Sequence, residues 1–125
     1  VEIRERLKKL ERLLEEARKN WVFVEGRRDK EALRALGADQ VLTISGNLRQ
    51  SCSKLPADVN RVYVLSDLDR RGDEMALRAR EELESRSIRA DVETRRKLAH
   101  LLRIRFFEDA KRAYDKLREE AEKGP

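Results

Sequence analysis

Short runs of strand-forming residues alternate with amphipathic stretches, and this alternation limits the fold more than any other feature. Trp21-Val22-Phe23-Val24 and Val41-Leu42-Thr43-Ile44 are apolar or β-branched throughout, as strands buried on both faces are. Arg61-Val62-Tyr63-Val64-Leu65-Ser66 is a third such run and stops at Asp67. In 88–93, Ile88, Ala90 and Val92 alternate with Arg89, Asp91 and Glu93, the period of a half-exposed strand at a sheet edge. Helical spacing fills the intervals. It runs over 2–19 through Ile3, Leu7, Leu10, Leu14 and Ala17, and over about 29–36 through Ala32, Leu33 and Leu36. Asp29 is placed to cap the start of this second helix and Gly37 to end it. Helical spacing returns over 72–86 through Met75, Ala76, Ala79 and Leu83, and over 97–122, where the apolar face drifts near 104–107 and predicts a bend. Residues 47–60, with Pro56 and Asn60, are the least regular stretch and read as a loop with one helical turn. The order α-βα-β(α)-βα-β-α predicts an α/β fold: a mostly parallel sheet of about four strands with helices on both faces. Residues 1–19 form an extra N-terminal amphipathic helix packed on a domain spanning 20–125.

Composition narrows the chemistry. A chain of 125 residues supports one domain with a real core. No apolar run is long enough to span a membrane, and the charged start at Glu2 does not read as a secretory leader, so a cytoplasmic location without a membrane partner is expected. The lone Cys52 excludes an intrachain disulfide and a cysteine zinc site, and the lone His100 argues against a histidine metal site or a histidine triad. Lys and Arg number 30 against 25 Asp and Glu, a net charge of +5. Arg outnumbers Lys by 21 to 9, which suits bidentate phosphate recognition and equally suits a solvated, ion-paired surface. Many charges beside three Asn and two Gln fit a thermophile.

The acidic residues carry more information. In an open parallel sheet, ligands sit beyond the carboxyl ends of the strands. Glu25 follows the first strand, and Asp67 and Asp69 follow the third in Ser66-Asp67-Leu68-Asp69-Arg70-Arg71-Gly72-Asp73. If those strands are neighbours, the carboxylates converge. Two carboxylates about 5 Å apart repel by about 3 kcal/mol at an effective dielectric of roughly 20, so protons or a cation must relieve them. An all-oxygen set matches Mg²⁺ or Mn²⁺, and Mg²⁺ commonly bridges to a substrate phosphate. The constellation therefore points to phosphoryl or phosphodiester chemistry.

These residues resemble a Toprim domain, the Rossmann-like catalytic module of topoisomerases, bacterial primases and old-family nucleases. The resemblance rests on Val24-Glu25-Gly26 closing the first strand, Ser45-Gly46 closing the second, and Asp67-Leu68-Asp69-Arg70-Arg71-Gly72-Asp73 closing the third, and it covers roughly 20–95. Val24-Glu25-Gly26-Arg27-Arg28-Asp29 is similar to small Toprim proteins related to the ribonuclease that matures bacterial 5S ribosomal RNA. The resemblance implies Glu25 as general acid or base and Asp67, Asp69 and Asp73 as metal ligands. Asp73 stands where many members have Glu, and Glu74 is the next possibility if the turn is looser. Leu68 replaces a frequent Pro. Asp29 matches a recurrent acidic position and either ligates or caps its helix. Gly26, Ser45, Gly46 and Gly72 support the turns.

Arg27, Arg28, Arg70 and Arg71 flank the acidic cluster and would either place phosphates or pair with the carboxylates. Arg95, Arg96, Arg103 and Arg105 form a second basic group. Tyr63 and Tyr114 read as packing residues, so no tyrosine nucleophile is expected, and the few aromatic residues do not suggest a stacking platform. The leading expectation is a Mg²⁺-dependent nuclease or phosphotransfer enzyme, with RNA favoured over DNA through the resemblance. The alternative is a non-catalytic Toprim subunit that binds nucleic acid within a larger repair or RNA-processing complex, with a protein partner or a second copy. A phosphatase or phospho-receiver would explain Asp67 but not Glu25, and lacks the Lys such sites use.

Overall fold

A computed structural model describes residues 2–124, so positions 1 and 125, the outer limits of the two segments expected above, lie outside it. The elements are α1 (Ile3–Arg18), β1 (Trp21–Val24), α2 (Arg27–Ala35), β2 (Val41–Thr43), α3 (Leu48–Ser53), β3 (Arg61–Val64), α4 (Arg70–Ser85), β4 (Arg89–Asp91), α5 (Thr94–Leu102), a short 3₁₀ turn (Phe107–Asp109) and α6 (Ala110–Lys123). The four strands form one sheet in the order β2-β1-β3-β4, parallel at every pairing. Phe23 pairs with Leu42 on one side and Val64 on the other. The fold is the expected α/β sheet, all parallel and Rossmann-like.

The period of two along the strands sorts the core. Val22, Val24, Tyr63 and Leu65 lie in one apolar cluster with residues of α1, α2, α5 and α6. Phe23, Val62, Val64 and Ala90 lie in the other, with Ala76, Ala79 and Leu83 of α4 and Cys52 of α3. Phe23 and Val64 are fully buried, and burial of a side chain of this size stabilises by about 1.5–3 kcal/mol. Both faces are thus covered, which is why β1 and β3 lack a polar alternation.

Helix α1 is more than an appendage: Leu10, Leu14 and Ala17 are buried in the first cluster. Along its apolar stripe Ile3 and Leu7 are half-buried and pack against the same cluster. The helical turn anticipated within 47–60 is a six-residue helix over 48–53. Asn47 caps it by accepting from the Gln50 amide, and the Ser51 hydroxyl donates to the Thr43 carbonyl at 2.6 Å. The long helix expected over 97–122 is two helices. The first starts earlier, at Thr94, where Asp91 accepts from the Thr94 amide and hydroxyl. It ends at Leu102, so the drift at 104–107 marks a full break.

Three helices close with the same C-terminal hydrogen-bond pair. After α2, Gly37 donates to Arg34 and Ala38 to Leu33; after α4, Ser87 to Glu84 and Ile88 to Leu83; after α5, Arg103 to His100 and Ile104 to Ala99. This closure demands a left-handed residue. Gly37 (φ 98°) fills it as the sequence suggested, whereas Ser87 (φ 62°) and Arg103 (φ 58°) fill it without being glycine.

Candidate active site

The sheet order places β1 and β3 side by side, with the chain crossing to β2 on one flank and β4 on the other. That makes the carboxyl ends of β1 and β3 the switch point where open parallel sheets bind ligands. Glu25 and Asp67 both lie there. The Asp67 backbone amide donates to Glu25 Oε2 at 2.7 Å, so Glu25 meets the Asp67 turn through the backbone amide rather than through the Asp67 carboxylate. Asp67 Oδ1 accepts from the Phe107 amide at 2.8 Å, and Asp69 Oδ1 caps α4 by accepting from Gly72 at 2.7 Å. Each of these three carboxylates has one oxygen committed to a backbone amide.

Asp29 is 7 % exposed, and its Oδ2 accepts from the Gly26 amide at 3.0 Å. It caps α2, one of its two expected roles. Burial is the main cause that raises the Asp29 carboxyl from 3.8 to about 6, with the charges of Asp67 and Glu108 adding to it and the Gly26 amide opposing. Burial likewise lifts Asp67 from 3.8 to about 6; the Phe107 amide opposes, and the negative neighbours Glu25, Asp69 and Glu108 add to the rise. These carboxylates form one acidic basin.

Asp73 does not join it. Its Oδ1 accepts from Arg95 at 2.6 Å and from Arg96 at 3.4 Å. The Arg95 hydrogen bond is the main cause holding the Asp73 carboxyl below its ordinary value. Arg95 is 2 % exposed and also donates to the carbonyls of Ser66 (3.0 Å) and Asp67 (2.8 Å). Glu74, the looser-turn option, pairs with Arg70 on the surface. Among the described residues, no three Asp, Glu, His or Cys side chains form a group that could hold a metal ion.

The turn after β3 is fixed by sterics. A Cβ at Gly72 would lie 1.8 Å from the Asp67 carbonyl oxygen, so only glycine fits. The buried Ser66 hydroxyl donates to the Gly72 carbonyl at 2.7 Å and ties the strand end to the start of α4. Ser45 donates its amide to the Glu25 carbonyl at 3.1 Å. Gly46 is different: a Cβ there would meet nothing within 4 Å, so its backbone does not need glycine. Gly26 is extended and its Cβ would make only an ordinary contact.

No family model matches the chain. It is 31 % identical over 110 residues to a UPF0292 protein of Thermococcus sibiricus, covering 84 % of this chain and 87 % of that one. A UPF0292 protein of Methanosarcina barkeri is 33 % identical over 102 residues, covering 76 % and 71 %. The chain belongs to the UPF0292 family. A solved structure of a putative protein from Aquifex aeolicus superposes with a TM-score of 0.69 at 26 % identity, over 86 % of this chain and 97 % of that one.

The arginines around the basin of this UPF0292 member are divided. Arg27 and Arg70 are strongly exposed and pair with Glu31 and Glu74 one turn on, contacts worth only about 0.3–0.5 kcal/mol. Arg28 and Arg71 are exposed and have no ion-pair partner among the described residues. Tyr63 and Tyr114 are buried, as packing residues should be, and Tyr114 hydrogen-bonds Glu11. Two contributors to the site escaped the sequence reading. Glu108, exposed on the turn between α5 and α6, adds its charge to the rise of both Asp29 and Asp67, and Arg95, there read only as one of a basic group, is the buried clamp on the β3 turn.

Proposed function

We propose that this UPF0292 protein is a metal-dependent nucleic-acid enzyme of the Toprim type that cleaves phosphodiester bonds, with RNA favoured over DNA. The observation that carries the reading is the junction of Glu25 with the Asp67 turn at the switch point of the sheet. The hard-oxygen donor set, and the burial and like charges that raise Asp67, fit a divalent cation. Mg²⁺ is usually held by one or two carboxylates, with water and substrate phosphate completing its shell, so the lack of a closed protein cage is compatible with it. Asp67 and Asp69 would hold it through the oxygens not given to Phe107 and Gly72. When bound, Mg²⁺ or Mn²⁺ supplies positive charge to the phosphate as it reacts.

Glu25, with one oxygen anchored and the other available, takes a proton from the attacking water or hydroxyl as that oxygen bonds to phosphorus. The bond from phosphorus to the departing oxygen breaks, and that oxygen takes a proton from solvent. Arg28 and Arg71 stand ready for neighbouring phosphates. Asp73 acts on the β3 turn through Arg95 rather than on a metal. A cytoplasmic location is part of the proposal, and no helix is long and apolar enough to cross a membrane. Relatives from thermophilic archaea support a heat-adapted protein.

The test is Mg²⁺-dependent cleavage of structured RNA and of plasmid DNA by wild type, Glu25→Gln and Asp67→Asn. Activity confined to the wild type supports the reading, and equal activity in all three rejects the mechanism. Salt-dependent binding without turnover would instead favour a non-catalytic binding subunit.

A further inference from the structure

Beside the acidic basin, two clefts of about 520 and 570 Å³ open between α1, α5 and α6. They share a wall made of Arg6, Arg103 and Ile104. The first cleft also carries Arg96 and is lined by no carboxylate. The second adds Arg105, Arg112 and Lys116; of its two carboxylates, Asp109 is taken by Arg112 at 2.7 Å and Glu120 remains. The clefts are tied to the catalytic turn: Leu68 lines the first, its amide donates to the Arg105 carbonyl at 2.7 Å, and its carbonyl accepts from Arg105 Nε at 3.4 Å.

Two features of the shared wall bear on a ligand, and Arg6 is anchored in that wall by donating its Nε to the Leu101 carbonyl at 2.7 Å. Arg6 and Arg103 line both clefts as like charges: burial and the Arg103 charge both lower the Arg6 pKa, against which Glu120 is a partial offset. Arg103 also occupies the left-handed closure of α5 (φ 58°, ψ 49°), where glycine would be free of strain. After α2 that place belongs to Gly37. Beyond the wall, Phe106 is 39 % exposed and its ring lies 5.6 Å from the Arg105 guanidinium. An anion bridging Arg6 and Arg103 would relieve their repulsion, and the Phe106 ring offers a face for a flat, stacking group.

We propose that this double cleft binds a single strand of nucleic acid, its backbone bridging Arg6 and Arg103 and one base stacking on Phe106. The inference rests on the proposed function for the nature of the ligand. Each cleft has the volume of a small-ligand site, which suits the separate bases and phosphates of a flexible strand, whereas a duplex keeps its bases stacked inside a rigid cylinder. Charged grooves combined with aromatic faces are how single strands are held.

The experiment measures anisotropy of a short fluorescein-labelled single-stranded RNA and of the matching duplex, across a salt series in EDTA. EDTA separates binding from turnover, so the result does not depend on cleavage. The proteins are wild type, Arg103→Gly, Ser87→Gly and Phe106→Leu. Arg103→Gly and Ser87→Gly both relieve a left-handed residue, so each should be at least as heat-stable as wild type. Of these two, only Arg103→Gly should weaken single-strand binding, by about tenfold, and lower the salt slope by about 1. Phe106→Leu should weaken it by about fivefold with the slope unchanged. Unchanged affinity and slope in Arg103→Gly overturn the proposal, as do a preference for duplex and a wild type that binds no strand. If Arg103→Gly binds normally while Glu25→Gln abolishes cleavage, this inference fails and the proposed activity stands. If no protein cleaves but Arg103→Gly loses binding, the reverse holds.

Discussion

Asp67 donates its backbone amide to Glu25 Oε2 at 2.7 Å, joining the ends of β1 and β3 across a sequence separation of 42 residues. The bond fixes one carboxylate oxygen and leaves the other free. Gln at this position keeps an acceptor for the Asp67 amide but has no carboxylate to take a proton. Glu25→Gln is therefore expected to melt within about 0.5 kcal/mol of wild type and to lose cleavage by about 10²–10⁴-fold. Glu25→Ala leaves the amide without its partner and should cost about 1–3 kcal/mol in addition. Denaturant unfolding beside a cleavage assay separates the two effects; a Gln variant that cleaves normally removes Glu25 from the chemistry.

Gly72 and Gly46 both looked like turn glycines, and the structure separates them. The Gly72 Cβ would overlap the Asp67 carbonyl, the contact being with backbone that cannot swing aside. Gly72→Ala is expected to cost about 3 kcal/mol or more, with part of the protein failing to fold. Gly46→Ala meets nothing and should be neutral or stabilising by about 0.4–1 kcal/mol through the unfolded chain. Chemical denaturation of the two variants checks the contrast, and equal losses would contradict the close approach at Asp67.

Buried Asp29 gives a pH dependence of known sign. Its carboxyl rises from 3.8 to about 6 on folding, so the folded state binds the proton more tightly. The resulting stability is complete below pH 3.8 and is lost as pH rises through about 6. The loss is on the order of 2 kcal/mol. Asn in its place keeps an acceptor for the Gly26 amide and carries no charge. Asp29→Asn is therefore expected to flatten this part of the stability profile and to be about 1–2 kcal/mol more stable than wild type near pH 8. Urea unfolding over a pH series decides it; parallel profiles for the two proteins would reject the burial argument.

What the sequence made legible was whatever rests on local pattern. Val22 and Phe23 read as doubly buried because each meets a different helical layer, and of the two edge strands β4 read correctly because one of its faces is open, whereas β2 read as buried on both faces and is half-buried at Leu42 and Thr43. The meeting of Glu25 with Asp67 followed once β1 and β3 were taken as neighbours. What stayed hidden depends on tertiary contact. Arg95 looks like any arginine on a charged helix, yet its guanidinium is buried because three acceptors surround it. Glu108 looks like a solvated acid and is exposed, yet its charge acts on Asp29 and Asp67 because Asp67 holds the neighbouring Phe107 amide. The break at Arg103 lacked the glycine that marked the end of α2. Helix α3 is six residues long, too short for helical period to declare itself.

Asp73 offers the sharpest separation between a ligand and a structural acid. Resemblance made it a third metal ligand, but its carboxylate is bound to Arg95, whose guanidinium also holds the Ser66 and Asp67 carbonyls. Removing the arginine leaves those acceptors unsatisfied, so Arg95→Met should cost about 3–5 kcal/mol. Asp73→Asn keeps an acceptor for Arg95 and should cost about 1–2 kcal/mol. Its Mg²⁺ response is the discriminating quantity. Mg²⁺ at ten times its dissociation constant should stabilise the wild type by about 1.4 kcal/mol. Asp73→Asn should retain that increment, while Asp67→Asn and Asp69→Asn lose it. Thermal melts with and without Mg²⁺ read all four proteins on one scale. An Asp73→Asn protein that folds but gains nothing from Mg²⁺ would return Asp73 to the ligand set.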